Sequence, residues 1–332
     1  MTEKTRVEWI DNIKGLLLLL TCCSHFIPKP WVVHAILIPT PTYYVPLFFF
    51  ISGYLCSLSN AKYEGMSVWG RQKTLIIRRW QKLMTPYFFF SFVGLLHGLV
   101  VGRDCYEMLW NALFIGTSCY VATPMYFVSL LFMTSVFFTW VTWSHQFSNL
   151  IWILLEIIGL SLFWIGIKDL HITLPWHLKS LPFTGALFLS GFLSSMIEYD
   201  KNSMRFLLPL LFVLGLVGMF FDIKGTLLAI ICPVSLGIGL VGLIKTSKRV
   251  EINLNRPVGF LQFVSINGVV ILGAHNIIYG YCHMIAKHYW QEINEWFFFP
   301  IVFVIVFSSL YYLVVPFMNK YLFFMTGFRK IE

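Results

Sequence analysis

The stretch RVEWIDNIKGLLLLLTCCSHF, residues 6–26, decides how the rest of the chain is interpreted. Its centre is the unbroken leucine run 16–20, which lies between Asp11 and Lys14 on one side and His25 on the other. A helix that crosses about 30 Å of hydrocarbon needs roughly 20 mostly apolar residues, because its backbone amides must all be satisfied inside the segment. We therefore predict a membrane helix that carries ionisable groups towards both of its ends.

The composition extends this interpretation to the whole chain of 332 residues. Hydrophobic residues make up 58% of it and charged residues only 12%. A soluble domain carries about a quarter charged residues, so the composition excludes a soluble enzyme, a disordered chain and a secreted disulfide scaffold. The net charge of +9 would suggest nucleic acid for a soluble protein. Because we predict a membrane protein, we expect it to contact membrane lipid and to bind no nucleic acid.

The apolar template recurs about ten times along the chain. We therefore predict an all-α integral membrane protein with about ten transmembrane helices, built as a single polytopic domain over residues 1–332. The predicted segments are approximately Ile10–Ile27, Tyr43–Leu58, Leu83–Val101, Met125–Trp143, Leu150–Ile167, Leu181–Met196, Phe206–Phe221, Thr226–Ile244, Phe260–Tyr281 and Trp296–Met318. A further stretch, Met108–Val121, is too broken for a span, and the sequence leaves open whether it lies at the membrane surface or re-enters.

The basic residues predict the orientation. An even number of spans places both termini on one side, and most of the 24 Lys and Arg residues fall on the side of the N terminus. The positive-inside rule then makes both termini cytoplasmic. The first apolar run is interrupted by Asp11 and Lys14 and has no small-residue cleavage site after it, so we expect it to remain as a helix. We expect a multi-pass protein of the inner (plasma) membrane.

Ionisable residues inside a span cost free energy and are candidates for function. Lys14 and His25 lie about three turns apart on one face of the first helix, roughly 16 Å along its axis. Asp11 can pair with Lys14 across one turn. Each end residue alone is explained by a side chain that reaches the nearby membrane surface. A face shared by a cation and an imidazole favours a functional path instead.

Two further residues lie inside predicted spans. Glu156 falls in the middle of the fifth span and must be protonated or paired with another helix. His275 lies well inside the ninth span, not far from Asn267, and the sequence leaves open a hydrogen bond between helices or contact with substrate. His171 and His177 fall in predicted outer loops, where we expect solvated side chains.

The loop before the third span carries a basic cluster. Arg78, Arg79 and Lys82 occupy about one helical turn and fit an anionic cosubstrate that arrives from the cytoplasm, although topology alone also explains such charges. No His or Cys grouping has the spacing of a zinc site, so we expect no metal. Cys105 and Cys119 both fall in a segment predicted to face the oxidising side, which leaves a disulfide between them open.

At this point three motifs match a known family. The stretch 6–26, the stretch YYVPLFFFISGYL (residues 43–55) and the stretch RRWQKLMTPY (residues 78–87) resemble the acyltransferase-3 family. Its members are integral-membrane acyltransferases that commonly O-acetylate bacterial surface glycans. The hallmark of the family, a basic residue and a histidine separated by ten residues in the first helix, falls here on Lys14 and His25. Departures from the family pattern fall on Ser24, Tyr44, Tyr126 and Gly268.

The resemblance implies a function. It makes the protein an O-acetyltransferase that moves an acetyl or other short acyl group from acetyl-CoA or another acyl-CoA to a hydroxyl of a carbohydrate or glycolipid. His25 would act as general base or acyl carrier, assisted by Lys14 and Asp11. The expected cosubstrate-binding residues are Arg78, Arg79 and Lys82, and the expected substrate-binding residues are Tyr126, Glu156, Asn267 and His275.

A competing class is a transporter or flippase for an acyl donor or a lipid-linked sugar. Buried ionisable residues on about ten helices suit that class as well. Transporters are usually built from internal repeats with broken helices in matching positions, and the sequence shows no such pairing. We therefore favour the acyltransferase.

Overall fold

A computed structural model describes residues 7–26, 41–59, 63, 65–117, 124–144, 150–200, 204, 206–220, 228–256, 258–289 and 295–325. Within these residues the structure is all-helical and contains no strand. The helices are α1 (Glu8–Phe26), α2 (Pro41–Ser59), α3 (Val68–Val100), α4 (Cys105–Trp110), α5 (Tyr126–Ser144), α6 (Leu150–Ile167), α7 (Leu181–Met196), α8 (Leu207–Phe220), α9 (Leu228–Thr246), α10 (Lys248–Leu254), α11 (Gly259–Ile266), α12 (Gly268–Tyr289), α13 (Glu295–Ser309) and α14 (Val315–Tyr321).

Each predicted apolar segment lies, as far as the structure describes it, in a helix or in a pair of consecutive helices. The prediction of a loop before the third span is wrong, because α3 begins at Val68, well before Leu83, and Arg78, Arg79 and Lys82 lie on this helix. Of the described helices, 5 are long and apolar enough to cross a membrane. These are Val68–Val100, Tyr126–Trp143, Leu228–Thr246, Gly268–Tyr289 and Phe298–Tyr321. The structure thus confirms an all-helical protein with several apolar helices. The full set of about ten spans and the cytoplasmic side of the termini stay predictions.

The centre of the bundle depends on glycines that let backbones approach each other. A Cβ added to Gly53 of α2 would lie 1.7 Å from the carbonyl oxygen of Phe188 on α7. In the same way, a Cβ added to Gly191 of α7 would lie 1.8 Å from the carbonyl oxygen of Phe50 on α2. Association of helices in lipid relies on such close packing, because burial of apolar surface gives little driving force there. These two glycines fix α2 against α7.

The helix α1 is fixed against the segment that contains α10, α11 and α12. Asn12 is buried, and its Nδ2 donates to the carbonyl oxygens of Leu254 at 2.8 Å and Arg256 at 2.9 Å. One turn further on, a Cβ added to Gly15 would lie 2.1 Å from the carbonyl oxygen of Leu261. A buried amide with several satisfied hydrogen bonds specifies one register. The packing therefore sets the height of α1 relative to α12.

The stretch that the sequence left open, Met108–Val121, is described as far as residue 117. Asp104 caps α4, because its Oδ1 accepts from the backbone amide of Tyr106 at 2.9 Å. The segment then turns back along the second half of α3: Met108 packs against Gly98, and the Tyr87 hydroxyl donates to the carbonyl oxygen of Ala112 at 2.7 Å. The chain thus packs back against α3 instead of forming a further span.

The possible disulfide involves one described cysteine. Cys105 is an exposed free thiol at the start of α4. Its suggested partner, Cys119, lies outside the described residues.

Candidate active site

Two histidines meet where α1 and α12 lie side by side. The ring centroids of His25 and His275 are 5.4 Å apart, with the rings tilted by 47°. His275 is fully buried, whereas the His25 side chain is exposed. The Nδ1 of His275 donates to the carbonyl oxygen of Ile271 at 3.0 Å, and because a carbonyl only accepts, Nε2 is the atom that carries the lone pair. The pair thus joins an accessible imidazole to a buried one of fixed tautomer.

A cavity of about 190 Å³ lies among α1, α2, α3, α5, α11 and α12. Two cations, Lys14 and Arg79, line it together with a mostly apolar wall. Leu18 and Leu272 also line it, and they lie about two turns before His25 and one turn before His275 respectively. The cavity therefore extends from the basic residues in the direction of the histidine pair. The remaining lining residues are Phe48, Ser52, Leu55, Leu83, Phe127, Val128, Leu131, Ser265, Ile266, Gly268 and Val269.

Lys14 is held at the cavity by the residue that the spacing indicated. Its Nζ lies 3.1 Å from Oδ1 of Asp11, and the same carboxylate oxygen accepts from the Ser265 hydroxyl at 3.1 Å. The Lys14 side chain is 30% exposed and that of Asp11 14%. Asp11 therefore links the cation on α1 to α11.

The three residues of the predicted basic cluster have different surroundings in the structure. Arg79 lines the cavity and makes no hydrogen bond or ion pair with any residue that the structure describes. Arg78 instead donates from Nη1 to the hydroxyl of Tyr63 at 3.3 Å and lies over its ring. Lys82 is exposed and does not line the cavity. Residues on one helical turn point in different directions, and the π-helical turn Trp80–Met84 shifts the face further.

A break between α11 and α12 places a helix N-terminus at the cavity. Asn267 forms the break, and it is fixed from the far end of the chain because Nδ2 of Asn319 donates to its Oδ1 at 3.0 Å. Gly268 and Val269, the first residues of α12, line the cavity. The first amides of a helix have no partner within the helix and carry partial positive charge. They add hydrogen-bond donors to the same space as Arg79.

The two other predicted substrate-binding residues lie away from this cavity. Glu156 is on α6, which packs against α7, and it does not line the cavity. Tyr126 begins α5 and is exposed, and its ring centroid lies 5.9 Å from that of His177. The structure thus forms two groups along α1 and α12. His25 contacts His275 at one level, and Lys14, paired with Asp11, lines the cavity with Arg79 at the other.

His177 differs from the solvated loop residue that the sequence predicts, whereas His171 is indeed exposed. The His177 ring is half-buried, and its Nε2 donates to the carbonyl oxygen of Gly116 at 3.1 Å. This burial lowers the pKa of His177 from its ordinary value of 6.5. Trp176 and His177 have φ values of 51° and 57°, in the left-handed region that non-glycine residues rarely adopt. No turn residue in the sequence signals that conformation.

These features define a multi-pass helical membrane protein in which an imidazole pair lies beyond a cavity with cationic residues, an arrangement suited to group transfer from an anionic cosubstrate. The chain belongs to the acyltransferase-3 family, because the model of that family's acyltransferase domain matches residues 7–315, nearly the whole protein. The protein is therefore a membrane acyltransferase. No curated protein and no solved structure matches the chain.

Proposed function

We propose that the protein moves an acetyl or other short acyl group from cytoplasmic acyl-CoA to a hydroxyl of a cell-surface or lipid-linked carbohydrate, as a multi-pass enzyme of the inner (plasma) membrane. The observation that carries the proposal is the placement of His25 and His275 beyond a cavity lined by Lys14 and Arg79. This places the cations and the imidazoles at successive levels of one bundle.

The cations explain how the donor is held. CoA is polyanionic at its nucleotide end and carries its thioester at the end of a long neutral arm. Arg79 and Lys14 suit the anionic part, since guanidinium and ammonium groups are the usual partners of phosphate. The largely apolar wall of the cavity includes Leu18 and Leu272 on the side of the histidines, and it suits the neutral arm. The donor's charge then stays near the cytoplasmic side while the thioester approaches the imidazoles.

The histidines explain the chemistry. A sugar hydroxyl attacks the thioester carbonyl, the C–S bond breaks, and the thiolate of CoA leaves and takes up a proton. A neutral imidazole is suited to accept the hydroxyl proton near pH 7, and we assign this role to His25. His275, with its tautomer fixed by Ile271, orients the His25 ring. Attack by His25 itself to give an acyl-imidazole is the alternative route to the same products.

The acceptor carbohydrate contacts the residues on the side of the histidines. His275 lies nearest to the reacting centre, because its ring faces His25. Asn267 holds the helix break at the cavity. Tyr126 and Glu156 lie on other faces of the bundle, and their proposed contact with acceptor is with parts of the carbohydrate away from the reacting hydroxyl.

The experiment is incubation of the detergent-purified protein with labelled acetyl-CoA and candidate glycans. Label on glycan, in released acetate or on the protein supports the acyltransferase. A His25→Ala variant should abolish the label transfer, and His171→Ala, which changes an exposed histidine, is the matched control. Intact acetyl-CoA that crosses the membrane of proteoliposomes with no transfer or hydrolysis would support the transporter class instead.

A further inference from the structure

We propose that the cavity recognises the single phosphate next to the pantetheine arm, so that the donor class of this enzyme is an acyl-4′-phosphopantetheine thioester and the adenine nucleotide of CoA is dispensable. This inference rests on the proposed acyl transfer. It adds which part of the donor the enzyme recognises and in which cavity that part binds.

The charge around the cavity favours an anionic ligand. Lys14 already has a carboxylate partner in Asp11, at 3.1 Å. Arg79 lines the same cavity and has no hydrogen bond or ion pair to the part of the chain that the structure describes. A guanidinium taken partly out of water is costly unless an anion compensates it, and phosphate matches its fork of donors. One phosphate supplies that partner.

Several hydrogen-bond donors belong to residues that line the same cavity. The N-terminus of α12 opens on the cavity through Gly268 and Val269. Ser52, from the opposite helix α2, is only 9% exposed and lines the cavity. Its hydroxyl has no hydrogen-bond partner among the described residues. Free helix amides, a buried hydroxyl and a guanidinium together make an anion site, in the same way as other helix N-termini bind phosphate.

The length of the pantetheine arm matches the distance between Lys14 and His25. Lys14 and His25 are separated by about 16 Å along α1, at the ordinary rise of a helix. The path from the 4′-phosphorus to the thioester sulfur contains roughly thirteen bonds, which in extended chain span about 15 Å. A phosphate at the level of Lys14 and Arg79 therefore places the thioester beside His25. The 3′-phosphate of CoA lies much farther from the sulfur, and at the same position it would carry the thioester beyond the histidines.

The volume of the cavity limits which part of the donor it can hold. The cavity encloses about 190 Å³. Sites that enclose a whole drug-sized ligand usually hold roughly 300 to 1,000 Å³. A phosphate and part of the arm fit this volume better than the whole of CoA, so we place the adenosine outside the cavity. Recognition of the nucleotide is then weak, and a phosphopantetheine attached to a carrier protein offers the same chemistry as CoA.

The test compares four small donors with the full-length purified enzyme: acetyl-CoA, acetyl-dephospho-CoA, acetyl-4′-phosphopantetheine and acetyl-pantetheine. We expect the first three to react with kcat/KM values within about 10-fold of each other, and acetyl-pantetheine to be roughly 100-fold worse, as expected for loss of a charge-assisted contact. Acetyl-4′-phosphopantetheine that is as poor as acetyl-pantetheine would overturn the proposal, since the nucleotide would then be the recognised part.

Variants assign the phosphate to Arg79. Arg79→Gln should lower kcat/KM for acetyl-4′-phosphopantetheine by roughly 10- to 100-fold and leave acetyl-pantetheine nearly unchanged. Lys73→Gln removes the same charge from an exposed position of the same helix and is the matched control. Equal losses for both donors in Arg79→Gln would contradict the assignment, because the change would then be structural.

Two further experiments separate the remaining outcomes. If an acetylated carrier protein serves as donor, a carrier protein is a source of the acyl group. If only the small donors react, CoA is its source. Binding of unacylated 4′-phosphopantetheine and pantetheine is measured in parallel by calorimetry. Phosphate-dependent binding that is lost in Arg79→Gln but comes with no acyl transfer overturns the proposed function and supports the donor site. Binding with no dependence on the phosphate overturns the donor site itself.

Discussion

His25 and His275 face each other at a ring-centroid distance of 5.4 Å, although one belongs to the first helix and the other to α12. The two helices run side by side in the same direction, since Leu18 also lies against Gly268. Their relative height is set near the start of α1, by the hydrogen bonds of Asn12 and the close approach of Gly15 to Leu261. The geometry of the histidine pair therefore depends on contacts about three to four turns away.

Gly15→Ala tests this dependence. The new Cβ would lie 2.1 Å from the Leu261 carbonyl oxygen, so α1 must move away from α11, and we expect destabilisation of about 1 to 3 kcal/mol with a larger relative loss of acyl transfer. Gly159→Ala on α6, where a Cβ meets nothing within 4 Å, is the control and should be neutral or stabilising. Unfolding temperature and transfer rate are measured for both proteins. Wild-type behaviour of Gly15→Ala would contradict the close packing.

Asn12→Ala tests the same contact through its hydrogen bonds. The substitution leaves the carbonyl oxygens of Leu254 and Arg256 without their side-chain donor, and we expect a loss of about 2 to 4 kcal/mol in the free energy of unfolding. Asn253→Ala changes an exposed asparagine of the same segment and should cost less than about 0.5 kcal/mol. Similar unfolding profiles for the two variants would show that Asn12 does not fix α1.

Lys14 and Asp11 are tested as a pair. Lys14→Ala removes the cation that offsets the Asp11 carboxylate beside the donor, so we expect the KM for the acyl donor to rise by roughly 10-fold or more. Lys14→Arg should stay closer to wild type because it retains the charge. The double variant Asp11→Asn with Lys14→Ala should recover part of the loss, since no carboxylate then repels the donor. Wild-type kinetics in both single Lys14 variants would instead indicate a side chain that only reaches the membrane surface.

His177 predicts a dependence of stability on pH. Burial lowers the pKa of His177 from 6.5, so the folded state favours the neutral ring over the protonated one. Its stabilising contribution is complete above pH 6.5 and is lost as the pH falls from there through the lower pKa of the folded state. The unfolding temperature should therefore drop on acidification more steeply in wild type than in His177→Gln. Parallel curves for the two proteins would contradict a buried neutral His177.

The sequence predicts the local features of this molecule well. Runs of about 20 apolar residues place the helices, and the spacing of Asp11 and Lys14 predicts their ion pair, because both depend only on residues within a turn or a span. The contact of His25 with His275 depends on the packing of segments that lie far apart in the chain, and no local pattern of residues indicates that packing. The sequence identified both residues but did not pair them.

Other features depend on local backbone geometry that residue type does not signal. Lys82 lies inside the π-helical turn Trp80–Met84 and does not line the cavity, whereas Arg79, just before that turn, does. The left-handed Trp176 and His177 are held by their surroundings, including the bond to Gly116, and not by a glycine or asparagine in the turn. Such features become visible only in the folded chain.

The most direct test of the account is acyl transfer from acetyl-CoA by purified His25→Ala protein with a wild-type unfolding temperature. We predict a fall in kcat by roughly 100- to 10,000-fold, the range expected for loss of a general base, with binding of CoA retained because Arg79 and Lys14 are intact. Transfer by His25→Ala at the wild-type rate would contradict the assignment of the reaction to the histidine pair.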